Sequence, residues 1–166
     1  MTLSLSEKLW QFALDVYGVE GVADECVDVQ DRYGVDVCLL LAAGFAAEAG
    51  LAPDAEVFRR WNGVVANWRE TVIVPLRKVR RDLKQEAANC VDVADLRRAV
   101  QAAELQAERR ELDMLASEIA GFAGAGASDR PHDEIVEDTL AKALSVFTTD
   151  AVATPLLLGA MRGRRT

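Results

Sequence analysis

The stretch "DVQDRYGVDVCLLL", Asp28 to Leu41, decides the fold class. An acid-rich segment reaches Gly34, and Asp36 then stands directly before an apolar run. Upstream, Val22, Cys26, Val29 and Tyr33 recur at helical spacing, so a helix spans about 20–33 and stops at Gly34, where a glycine can adopt the left-handed turn. Asp36 caps a further helix over about 37–49, apolar on nearly every side and therefore central.

Working outward, Ser4 with Glu7 three residues on forms a capping-box pattern that opens a helix over 5–17, with Leu9 or Trp10, Leu14 and Tyr17 on its inner side. After "GLAPD" (50–54), Asp54 caps a long pattern in which Val57, Trp61, Val64, Trp68, Val72, Val79 and Leu83 recur in three- and four-residue steps. Pro75 has no amide to offer the Thr71 carbonyl, so 54–86 is either one kinked helix or two.

"CVDVADLRR" (90–98) restarts a helix, with Asp92 as candidate cap, that continues to about Ala120 without proline or glycine. Its apolar face shifts from Leu96, Val100 and Ala103 to Leu105, Leu112, Ile119 and Phe122, so its two halves are expected to meet different neighbours. "GFAGAGASDRP" (121–131) reads as a loop without the strand or the Gly-Lys-Ser/Thr of a phosphate loop. Ser128 or Asp129 caps a last helix carrying Ile135, Thr139, Leu140, Leu144 and Phe147. The expectation is an all-α, single-domain bundle of about six or seven helices over 1–150, with one long helix in its C-terminal half. A tail over 151–166 docks its leucines and keeps a partly mobile end.

Composition narrows the function classes. Hydrophobic residues make up 51% of the 166-residue chain, enough for a real core, while aromatics at 6% leave that core to small aliphatic packing. A net charge of -8 lacks the basic footprint needed to replace phosphate counterions, so nucleic acid is not an expected partner. The longest nonpolar run, 37–47, is too short to cross a bilayer, and "MTLSLSEKLW" lacks the pattern of a signal peptide. The cytoplasm is the expected compartment. Cys26, Cys38 and Cys90 form neither a disulfide framework nor a metal clip, and the single histidine, His132, excludes multi-histidine sites.

Two constellations offer chemistry. Asp24, Asp28 and Asp31 lie one helical turn apart, the spacing with which all-α enzymes acting on isoprenoid diphosphates hold Mg²⁺. At ~100° per residue the three acids gather on the face opposite Val22, Cys26 and Val29, which reads as a solvated face. Basic residues dominate 59–84, eight Lys or Arg against Glu70 and Asp82, a local +6 within a chain of -8. Arg77, Arg81 and Lys84 are expected to be exposed there, available to an anion, an acidic partner or the chain's own acidic helix.

"LWQFALDVYGVEGVADECVDVQDRYGVDVCLLL" (9–41), with the later tryptophans and "VPLRKVRRDLK" (74–84), resembles the bacterial Domain of Unknown Function 2390 family. The resemblance covers Leu9 to Lys84 and rests on Leu9-Trp10-x-Phe12-Ala13-Leu14, on the turn from Gln30 to Val37, and on Pro75-Leu76-Arg77. It implies a short, cytoplasmic, all-helical protein, and it draws attention to a functional turn at Asp31 and Asp36 and to the basic segment Arg77 to Arg81. The family usually carries Asn where this chain has Cys38. The expected function is non-enzymatic: a regulatory or interaction domain that docks on another protein or a second copy of itself, without a cofactor. The alternative is an enzyme or binder of a phosphorylated small molecule, with Mg²⁺ on Asp24, Asp28 and Asp31.

Overall fold

Nine of the twelve residues of α3 (Val37–Glu48) are buried, so the helix that the sequence reads as apolar all round is the axis of the molecule. The computed structural model describes residues 3–123 and 127–164, and these are all-helical, with no strand. Gly124 to Gly126 of the glycine-rich connection lie outside the described residues.

Around α3 pack α1 (Leu5–Tyr17), α4 (Ala55–Trp68), the long α7 (Val91–Phe122) and α8 (His132–Leu144). α1 opens on the expected capping box between Ser4 and Glu7. Its inner stripe differs from the reading: Leu9, Phe12, Ala13 and Val16 are buried, while Leu14 and Tyr17 stay exposed. α2 (Val22–Tyr33) buries Val22, Cys26 and Val29 and ends at Gly34, whose φ of 65° is the left-handed conformation that residues with a Cβ rarely adopt. Asp36 caps α3, its Oδ1 accepting the Cys38 amide at 3.0 Å.

The stretch 54–86 is neither one simply kinked helix nor two. α4 passes without a loop into a π-helical turn (Arg69–Ile73) and on into α5 (Val74–Asp82), followed by the short α6 (Lys84–Ala87). The Val74 amide donates to the Arg69 carbonyl five residues back. That register suits Pro75: a four-residue step leaves the Thr71 carbonyl facing a nitrogen without hydrogen, whereas a five-residue step points it at Leu76. The extra residue also rotates the inner stripe, which runs through Phe58, Trp61, Val65 and Ile73. Val64 and Val79, read as inward-facing, are exposed. Trp61 anchors this stripe, meeting Phe58 and Phe122 edge-on at centroid distances of 5.2 and 6.2 Å.

The two halves of α7 do meet different neighbours. Leu112, Leu115, Ala116 and Ile119 enter the core, while no residue from 91 to 103 is buried and Arg97 Nε donates to the Arg80 carbonyl of α5. Leu96 and Leu105 are exposed, because no described element covers α7 on those sides. Cys90 rather than Asp92 occupies the cap position of α7, and Pro131 rather than Ser128 or Asp129 that of α8. Ser128 instead donates its amide to the Gly50 carbonyl at 2.8 Å, tying the connection to the end of α3. Residues Pro155–Arg162 form α9, which buries Leu157 and Met161.

Candidate functional site

Between α1, the α2–α3 turn, the π-helical turn with α5, and α7 lies a cavity of about 330 Å³. Its mouth is apolar and its interior charged. Leu14, Tyr17, Val27 and Leu105 line it while remaining exposed, and behind them stand Arg69, Arg77 and Arg80 against Asp36, Glu104, Glu108 and Glu111.

Each arginine is placed by the local helix. Arg69 begins the π-helical turn, and its Nη1 donates to Asp36 Oδ2 at 2.7 Å while lying 3.7 Å from Glu111 Oε1. Eight residues on, past the inserted register, Arg77 Nε donates to Glu104 Oε1 at 2.9 Å and Nη2 to Glu108 Oε1 at 2.8 Å. Arg80 also bonds Glu104. Trp68 braces the same wall, donating its Nε1 hydrogen to the Ala107 carbonyl at 2.9 Å.

Electrostatics separates the four carboxyls. Burial works against the charge of Glu104, but hydrogen bonds from Arg80 and Arg77 overcome it and hold this carboxyl below its usual range. Glu108 is raised, chiefly by burial, with Arg77 only partly offsetting it. Glu111, 1% exposed, is pushed up to about 9 by burial first and then by the neighbouring Asp36 carboxylate. Its Oε1 meets no hydrogen-bond partner. Burial followed by Asp36 raises the Cys38 thiol well above its ordinary value, so it is a packed side chain and not an activated nucleophile. Atoms of Asp36, Cys38 and Glu111 lie within 4.8 Å of one another, a separation that a cation can bridge. Here the Arg69 guanidinium is hydrogen-bonded to Asp36 and stands beyond hydrogen-bond distance of Glu111.

The residues singled out from sequence divide. Asp36, Arg77 and Arg81 border the cavity. Arg77 is not exposed as expected: its guanidinium is turned onto α7 and shared by two glutamates. Arg81 Nη2 donates to Asp31 Oδ1 at 2.8 Å, joining two of the residues read separately. Asp24 and Asp28 face solvent on α2, Asp28 paired with Arg32 at 2.8 Å, and Lys84 lies apart, in a shallow depression with Arg97 and Arg98. The basic segment is thus largely neutralised by the chain's own acids.

Sequence reading missed Arg69, Glu104, Glu108 and Glu111. A signal existed: with Glu104 set at 0°, Glu108 falls near 40° and Glu111 near -20° at ~100° per residue, on the same face as Leu115 at ~20°. Acids sharing the face of a core leucine mark a buried polar stripe.

These features define an all-α protein with an internal charged cleft. Residues 8–115 match the family model described as Protein of unknown function (DUF2390), and the chain belongs to this family. The match takes in every residue lining the cleft, from Ala13 to Leu112. No curated protein matches the chain. No solved structure matches it.

Proposed function

We propose that this chain works by binding rather than by catalysis, and that a small amphipathic molecule occupies the cleft between α1, α5 and α7. The observation that carries this reading is the pairing of an apolar, exposed mouth with charged side chains directed inward. Single exposed leucines are ordinary, but Leu14, Tyr17, Val27 and Leu105 surround one opening, and a cavity of about 330 Å³ falls in the ~300–1,000 Å³ range of ligand sites. A hydrolytic or nucleophilic role lacks support, since the Cys38 thiol is held protonated and His132 is not among the lining residues.

The test is thermal unfolding with amphipathic amines, acids and alcohols, where a ligand at 100 times its Kd stabilises by about 2.7 kcal/mol. At least one class should raise Tm in the native chain and lose its effect in Leu105→Trp, which fills the mouth. No shift from any class, or shifts unchanged in Leu105→Trp, would remove this reading.

A second reading is supported by a different observation: Val74 and Val79 on α5, and Val91 and Leu96 on α7, are large apolar side chains left exposed. Exposed apolar groups on these two helices suit docking on another protein or a second copy of the chain. Native mass spectrometry of the wild type against a Val79→Glu, Leu96→Glu double variant tests it, a monomer in both ruling out self-association.

A further inference from the structure

Four carboxyls and four guanidiniums border the cleft, but they do not pair one to one. Arg81 is directed to Asp31, which does not line the cavity. Arg69 is hydrogen-bonded to Asp36, Arg77 to Glu104 and Glu108, and Arg80 to Glu104. Three guanidiniums therefore serve four carboxyls, and Glu111 Oε1 is the carboxyl oxygen among them that is buried without a hydrogen-bond partner. Glu111 is 1% exposed, and its nearest cation, Arg69 Nη1, stands 3.7 Å away, already directed at Asp36.

A buried carboxyl in that position either keeps a proton or takes a positive partner. We propose that the cleft binds a small primary alkylammonium, its charged head seated against the Glu111 carboxyl and its hydrocarbon chain lying along Leu105, Leu14 and Tyr17 to the mouth. This rests on the reading of the cleft as a small-molecule site and specifies its ligand class. An anionic head would meet Asp36, Glu108 and Glu111 with no guanidinium uncommitted, and a neutral head would leave Glu111 its proton and gain no ion pair.

The dimensions agree. Glu111 and Leu105 are six residues apart on α7, about 9 Å of helix at 1.5 Å per residue, the reach of an extended chain of about six carbons with its head group. Before an ammonium enters, the carboxyl carries a proton: Glu111 is held protonated at neutral pH by its burial and by Asp36, against Arg69 and the Cys38 thiol that also face it. An entering R–NH₃⁺ displaces that proton, which passes to the buffer while the carboxylate and ammonium form the ion pair. Apart from this proton transfer from the Glu111 O–H to the buffer base, no covalent bond changes.

Hexylamine, hexanol and hexanoate share one hydrocarbon chain and differ only in the head, so they isolate the claim. Isothermal titration calorimetry of the full chain near neutral pH, in phosphate and in Tris, reads both affinity and protons released. The expected result is hexylammonium binding at least about tenfold tighter than either congener, with release approaching one proton per ligand. Glu111→Gln keeps the shape and removes the charge. It should fold with an unchanged helical circular dichroism spectrum, bind hexylammonium about tenfold more weakly, and show no dependence of the heat on buffer.

Equal or tighter binding of hexanol or hexanoate overturns the ammonium assignment while leaving the cleft as a ligand site. Unchanged hexylammonium affinity in Glu111→Gln overturns it as well. If none of the three binds, both the assignment and the cleft reading fail.

Discussion

Glu25 on α2 accepts the amides of Leu156 and Leu157 at 3.1 and 2.7 Å, capping α9 from more than a hundred residues away in the chain. Pro155, at the first position of α9, has no amide to satisfy, so this one carboxylate takes the next two free donors. It also places negative charge at the positive end of the helix.

Glu25→Ala should therefore lower stability by about 0.5–2 kcal/mol, the usual range for loss of a helix cap. The loss should concentrate at the C-terminus: hydrogen exchange of the α9 amides should rise well before that of α3. Uniform exchange in wild type and variant would show that apolar packing alone holds α9.

Gly44 and Met161 are joined by close packing. A Cβ at Gly44 would lie 2.5 Å from both Sδ and Cε of Met161 and 3.2 Å from its Cγ, inside a buried contact. Gly44→Ala should destabilise by roughly 1–3 kcal/mol through overpacking. In combination with Met161→Ala the loss should be smaller than the sum of the two, since the new methyl occupies space that the shortened side chain vacates. Denaturant unfolding of the four proteins closes the cycle, and strict additivity would contradict the contact.

Arg77 lies between Glu104 and Glu108, with all three largely withdrawn from solvent. Removing one partner of a buried ion pair leaves charge without compensation, so Arg77→Met should destabilise by roughly 3–5 kcal/mol. Adding Glu104→Gln to Arg77→Met should recover part of this, because a neutral amide needs no cation. The same midpoint for the single and double variants in urea would show that the pair contributes only packing.

The pH dependence follows from Glu111, whose folded pKa, about 9, lies far above the ordinary carboxylate value of 4.5. The native state keeps a proton that the unfolded chain gives up, so this contribution is complete below about pH 4.5 and is lost as pH rises toward 9. Glu108, also raised by burial, adds in the same direction. Wild-type stability should fall between about pH 5 and pH 9 by an amount on the order of a few kcal/mol. Glu111→Gln should flatten that slope and be the more stable protein at the alkaline end. A slope identical in the variant, measured as Tm against pH, would rule out Glu111 as its source.

Two carboxylate triads make plain how far the sequence carries. Asp24, Asp28, Asp31 and Glu104, Glu108, Glu111 have the same spacing and the same angular grouping on their helices. For α2 the sequence suffices: Val22, Cys26 and Val29 lie opposite the acids, and hydrophobic burial turns the acids to water. The same reasoning gives α3 its central place and Gly34 and Asp36 their roles, since caps, turns and periodicity act over a few residues.

What the chain alone could not state was decided by packing between distant segments. The π-helical turn is set by Pro75 together with the need for Ile73, Arg69 and Arg77 to reach α3 and α7. Arg77 reads as exposed on an ideal helix and turns inward only when one residue is inserted before it. The burial of Glu104, Glu108 and Glu111 exists because arginines from an element some thirty residues earlier are brought against them, and burying a charge is tolerable only beside its partner. Periodicity assigns a side chain to a face of its helix, whereas whether that face meets water, leucine or arginine depends on which helix the fold lays across it.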